Sequence, residues 1–156
     1  MAKAWKVKGI APDKSLETCA RRIIKTRFHE MMSFKEGSID GADIEYVHDM
    51  RVSSRRLRAA LRNFIDCFPQ KKQFRKHLKR AENITATMGG VRDMDVLIDR
   101  FQKDSQTLSE EEQIGVGNLI EHLRQKREKA RQPMLKLFEE LNTNGFNIKF
   151  LKFFRA

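Results

Sequence analysis

Two cysteines in 156 residues, Cys19 and Cys67, are too few for a disulfide framework, and no Cys/His spacing resembles a zinc site. Both fall in helical, partly apolar stretches, where a small buried thiol is the usual state. No stretch approaches the roughly 20 apolar residues of a membrane span, and the short basic start lacks the apolar core of a signal peptide. A soluble, cytoplasmic protein is the expectation. With only 8 Gly, 3 Pro and no alternating apolar–polar run of any length, nothing supports a β architecture. A single Trp and a single Tyr are few for a platform that stacks nucleic-acid bases.

Negative charge is also scarce. Lys and Arg number 32 against 21 Asp and Glu, a formal net charge of +11. That excess suits nucleic acid, anionic lipid or another polyanion. The length matches one compact domain, and the 40% hydrophobic fraction, with 11 Phe and 7 Met, supplies its core.

The pattern predicts an all-α, up-down bundle of four to five long helices with a basic groove. A first helix spans 13–36, capped by Asp13 and stopped by Gly37, with Leu16, Ala20, Ile23, Ile24, Phe28 and Met31 at three- and four-residue steps. After a turn over 37–41, a second spans 42–68 and ends before Pro69. A third spans 70–88 and stops at Gly89-Gly90; a fourth starts at Val91 or Arg92 and fades near residue 103. Ser109 and Glu112 form a capping box for a fifth over 110–141, kinked by Pro133. The tail with Phe146, Phe150, Phe153 and Phe154 reads as exposed aromatics seeking a partner.

The second helix carries the chemistry. At about 100° per residue, His48, Arg51, Arg55, Arg58 and Arg62 share an arc of roughly 80°, beside an apolar arc with Val47, Met50, Leu57, Leu61 and Phe64. The row is about 21 Å long at 1.5 Å per residue. So many like charges on one face cost helix stability, and Asp49 is the sole acid between Val47 and Phe64. A string of oxyanions would relieve that repulsion. Bound phosphate favours the charged form of His48, so affinity is expected to rise as pH falls through about 6 to 7.

Arg27 and Arg127 project onto apolar arcs, the latter flanked by Arg124 and Arg131. An inward guanidinium must be paired or line a wet cavity. Either these arginines meet Asp93, Asp95 or Asp99, or they floor the anion groove, where the guanidinium fork suits phosphate oxygens. Lys72, Arg75 and Lys79 form a further stripe that either extends the groove or is plain surface.

The run His48-Asp49-Met50-Arg51-Val52 followed by Arg55-Arg56-Leu57-Arg58 resembles the signature helix of the CHAD family, the conserved-histidine α-helical domains. Met88-Gly89-Gly90-Val91-Arg92-Asp93-Met94-Asp95-Val96-Leu97 is similar to a second family stretch, with Met in place of Leu at its start. Trp5-Lys6-Val7-Lys8-Gly9 and the approach from Gly41 to Glu45 also fit, so the resemblance covers residues 5–142. It implies an all-helical fold, affinity for inorganic polyphosphate and no catalysis by the domain. Carried over, the binding residues are His48, Arg51, Arg55, Arg56, Arg58 and Arg62, although Arg56 lies well round the helix from the row. Arg92, Asp93 and Asp95 are expected to form a salt-bridge cluster at a helix start. Family members have two related halves facing a central groove, and the residues here match the first half. A homodimer is the expected replacement for the second half, through the fifth helix and the aromatic tail.

A nucleic-acid backbone binder is the alternative function. Neither a cofactor nor a metal is expected. An enzyme of phosphoryl transfer would need a Gly-rich phosphate loop or a metal-holding carboxylate pair. Gly89-Gly90 lacks the loop's Lys-Ser/Thr ending, and Asp93, Asp95 and Asp99 read as helix-start acids.

Overall fold

The computed structural model describes residues 2–155. Six helices and one 3-10 turn follow each other, with no strand among the described residues. The first helix, α1 (Leu16–Met32), starts where the Ser15 hydroxyl accepts the Thr18 N–H. Asp13 is not its cap, because the chain first turns after Pro12, with the Lys14 N–H bonded to the Ala11 carbonyl at 3.1 Å. It buries Ala20, Ile24, Phe28 and Met31. It also ends before the expected Glu36, and a separate short helix, α2 (Lys35–Asp40), occupies the expected turn. Gly37 lies inside α2, where a Cβ would meet the Tyr46 ring at 2.2 Å. The stop is Gly41, whose φ of 74° suits glycine.

The signature helix is α3 (Ile44–Phe64), capped by the Asp43 carboxylate on the Glu45 N–H. A 3-10 turn over Ile65–Cys67 takes the place of its expected last turn, and Phe68 becomes extended ahead of Pro69.

The largest departure from expectation follows. Gly89-Gly90 does not stop a helix: α4 runs unbroken from Lys71 to Ser105. Two interior glycines cost about 1 kcal/mol each relative to alanine. Met88 and Val91 on either side of them are fully buried, and that packing outweighs the propensity. The capping box at Ser109 and Glu112 does form, and α5 (Glu110–Thr143) continues through Pro133. Gly145 (φ 62°) then turns the chain into α6 (Phe146–Phe153).

Packing follows chain order, α1 on α3, α3 on α4 and α4 on α5, so α3 is gripped from both sides and keeps one outer face. The aromatic tail is not the exposed patch that its sequence suggests. Phe146, Phe150 and Phe154 are fully buried, and α6 folds over the end of the bundle. Phe150 stacks on Phe28 at 4.2 Å, while Phe154 meets Phe68 at 5.4 Å and Phe74 at 5.5 Å. Burying each such side chain stabilises by about 1.5–3 kcal/mol, enough to hold an eight-residue helix in place. Cys19 and Cys67 are half-buried free thiols.

Candidate functional site

The outer face of α3 carries the predicted row. Val47, Met50, Leu57 and Leu61 are fully buried against the core, which turns His48, Arg55, Arg58 and Arg62 outward, while Arg51 leans toward α4 with its Nε buried near Gly89. Arg55 and Arg62 are exposed; His48, Arg51 and Arg58 are half-buried. A concavity of about 490 Å³ lies on the C-terminal half of this face. Arg55, Arg56, Arg58 and Arg62 line it together with Val52, Ala59 and Asn63, and no acid does.

Arg56 reaches this concavity by a route that spacing does not show. Its guanidinium is held by the buried Glu30 of α1 and by the Ala2 carbonyl at 2.9 Å. The stem therefore crosses from the α1 side to the same wall. Arg62 is tied more loosely, to Glu82 of α4 at 2.7 Å, with its own side chain 55% exposed.

The N-terminal end of the row is less basic than the sequence suggests. One ligand atom each from Glu45, His48 and Asp49 lies within 4.8 Å of the others, the one such trio among the described residues that could hold a metal ion. Asp49 accepts the Ala2 N–H at 2.6 Å, and Arg92 stands 3.8 Å from Glu45. Two carboxylates beside His48 weaken the field there, so the attraction for an anion is greatest between Arg55 and Arg62.

Several other predicted residues stand away from this face. Arg27 pairs with Glu30 at 2.6 Å, the acid that also holds Arg56, and donates to the Trp5 carbonyl at 3.0 Å, so it meets an acid of its own helix and none of Asp93, Asp95 or Asp99. Arg127 forms an ion pair with Asp95, one of its expected acids, and donates to the Gly41 carbonyl at 3.2 Å. Arg131 is buried and donates to the Ser38 and Ile39 carbonyls at 3.3 and 2.8 Å, closing the C-terminal end of α2. A Cβ on Gly41 would strike that guanidinium at 1.8 Å, so glycine is required there twice over. Arg124 is exposed near Glu121, in a cleft whose wall also holds Asp95, Asp99 and Glu128. Lys72, Arg75 and Lys79 are exposed on α4.

Arg92, Asp93 and Asp95 do not mark a helix start, because α4 is continuous there. Burial raises the Asp95 carboxyl above its ordinary range, and Arg127, Arg92 and Arg131 pull it back. Sequence reasoning missed Glu30, which is fully buried and anchors Arg27 and Arg56 together. An acid on the apolar arc of α1, one turn from Arg27, was the available signal.

Fold and site together define an all-helical bundle that presents a row of cations on one exposed helix face. The CHAD domain model matches residues 22–153, nearly the whole chain, and the protein belongs to the CHAD family. No curated protein matches the chain, and no solved structure does. No helix among the described residues is long and apolar enough to cross a membrane.

Proposed function

We propose that the chain binds inorganic polyphosphate along the outer face of α3 and performs no chemistry on it. The CHAD domain is associated with polyphosphate binding in general. The observation that carries the reading is the acid-free concavity where Arg55, Arg56, Arg58 and Arg62 converge. Arginine forks bond phosphate oxygens bidentately, and a chain of phosphates can engage consecutive turns of one helix. Arg55, Arg58 and Arg62 form the binding floor, and Arg51 and His48 extend it toward the N-terminus, while Arg56, already held by Glu30 and the Ala2 carbonyl, shapes the wall beside them.

The half-buried Arg27 and Arg127 and the buried Arg131 act in this reading through the scaffold, since each donates to protein oxygens. A second copy of the chain supplies the facing wall, with the polymer screening the two rows from each other. Light scattering with polyphosphate should then give a dimer mass; a monomer mass with and without polymer removes the second wall.

The decisive experiment is retention on immobilised long-chain polyphosphate, with DNA as competitor. Binding to a phosphodiester backbone alone would make the two polymers exchange on equal terms as salt is varied. Polyphosphate should displace labelled DNA far better than DNA displaces polyphosphate. Equal displacement, or unchanged retention after Arg55, Arg58 and Arg62 become glutamine, refutes the reading.

A further inference from the structure

On the other side of α4 lies a larger cavity, about 730 Å³, well within the size range of small-ligand pockets. Lys71, Lys72, Lys76 and Arg80 of α4 and Lys149 of α6 line it, and no acid does. Lys71 is engaged by Asp66 at 2.7 Å. Among the described residues no acidic side chain pairs with Lys72, Lys76, Arg80 or Lys149. Like charges gathered around a concavity repel one another, and the fold brings Lys149 to them from a different helix.

Two independent features point inward to a ligand. The first turn of α4 has no side-chain cap on Gln70, and residues 69–73 line the cavity, so the positive end of the helix dipole lies beside it, although the Lys71 N–H is taken by the Pro69 carbonyl at 2.9 Å. His77, only 5% exposed, forms part of the wall, and neither ring nitrogen has a protein hydrogen-bond partner. Its surroundings are phenylalanine rings of α6, with Phe153 at 5.1 Å and Phe150 at 5.3 Å, so nothing there can satisfy it. Burial, with a smaller contribution from Arg80, lowers its pKa to about 4. The neutral ring keeps one N–H donor without a protein acceptor.

This cavity is separate from the α3 face. Glu82, the α4 residue that meets Arg62, is five positions beyond His77, about 140° round the helix. We propose that the α4–α6 cavity is a second anion site, taking a compact group of two or more clustered phosphates held by Lys72, Lys76, Arg80 and Lys149. Lys72 to Arg80 spans about 12 Å of helix, which favours a short cluster over an extended polymer. The cluster belongs either to a free small molecule, such as a nucleoside triphosphate, or to the end of a polyphosphate chain.

The test titrates the full chain with inorganic tripolyphosphate, ATP and long-chain polyphosphate, following the His77 ring signals by NMR and the affinity by calorimetry. Lys76→Gln/Lys149→Gln alters two exposed side chains of the cavity; Arg55→Gln/Arg58→Gln alters the α3 face. Tripolyphosphate should shift the His77 signals, and the cavity variant should weaken its binding at least tenfold while the α3 variant leaves it within twofold. Long polymer moving His77 in the α3 variant identifies a chain end as the source; ATP moving it when polymer does not identifies a free small molecule. His77 signals that stay fixed at saturating tripolyphosphate, or equal losses in both variants, overturn the site. The outcome is independent of polymer binding on α3, because each face has its own variant and probe.

Discussion

Two populations of arginine in this chain look alike in sequence and behave differently in the fold. Arg27, Arg56, Arg127 and Arg131 each reach a protein oxygen, on Glu30, Asp95 or the last carbonyls of α2. Arg55 and Arg58 on the outer face of α3 have no acid within reach among the described residues, and Arg62 has a surface one. Burial forces a partner on the first group, because an uncompensated interior charge costs several kcal/mol. Solvent lets the second group go without. Scaffold and binding surface are thus separated by whether the fold supplies the counter-charge.

Removing an inner partner breaks the comparison most severely. Glu30 is fully buried between Arg27 and Arg56, whose side chains are 17% and 26% exposed. Glu30→Gln keeps the shape and deletes the charge, leaving two guanidinium groups uncompensated. Urea unfolding should show a loss of about 3–5 kcal/mol. A loss below about 1 kcal/mol would mean that the inner arginines do not depend on their acid.

His77 is the inner cation that gave up its charge instead of finding a partner. Its pKa is lowered from 6.5 to about 4, so the folded state rejects a proton that the unfolded chain accepts. Its contribution is therefore complete above pH 6.5 and disappears as pH falls toward 4, a loss on the order of 3 kcal/mol. His77→Phe should flatten the decline in unfolding free energy between these limits. A parallel decline in both proteins would assign acid sensitivity to other groups.

How much of this was legible beforehand depended on whether a residue's neighbours were local. The α3 row needed only the helical repeat, since every member lies on one element, and the capping box at Ser109 was readable for the same reason. Gly89-Gly90 misled because buried Met88 and Val91, packed on distant segments, sustain the helix against its local preference. The phenylalanines of α6 read as exposed because their partners, Phe28, Phe68 and Phe74, are at least 70 residues away in the chain. Arg27 illustrates both sides: its inward direction is visible in the repeat, yet the acid it meets is Glu30 on its own helix and none of the aspartates of α4. Periodicity gives the direction of a side chain and leaves its partner to the tertiary fold.

The outer population is tested by charge alone. Arg55→Gln/Arg58→Gln/Arg62→Gln should lower polyphosphate affinity about 100-fold, near 2.7 kcal/mol, with a shallower dependence on salt. Thermal stability should hold or rise slightly as repulsion along α3 is relieved. A fall in melting temperature comparable to that of Glu30→Gln would show that the row belongs to the scaffold.

The smallest effect concerns the one arginine between the two groups. Arg62 is 55% exposed and its partner Glu82 28% exposed, so their pair contributes at most about 1 kcal/mol to stability. Phosphate must displace that carboxylate before it can take the guanidinium fork. Glu82→Gln should therefore raise polyphosphate affinity up to about fivefold, the counterpart of that same 1 kcal/mol, while barely changing the unfolding free energy. The gain should shrink as salt rises, because the competing attraction is itself screened. Unchanged affinity at low salt would place Arg62 with the scaffold arginines, and the phosphate-facing row would then rest on Arg55 and Arg58, with Arg56 reaching in beside them.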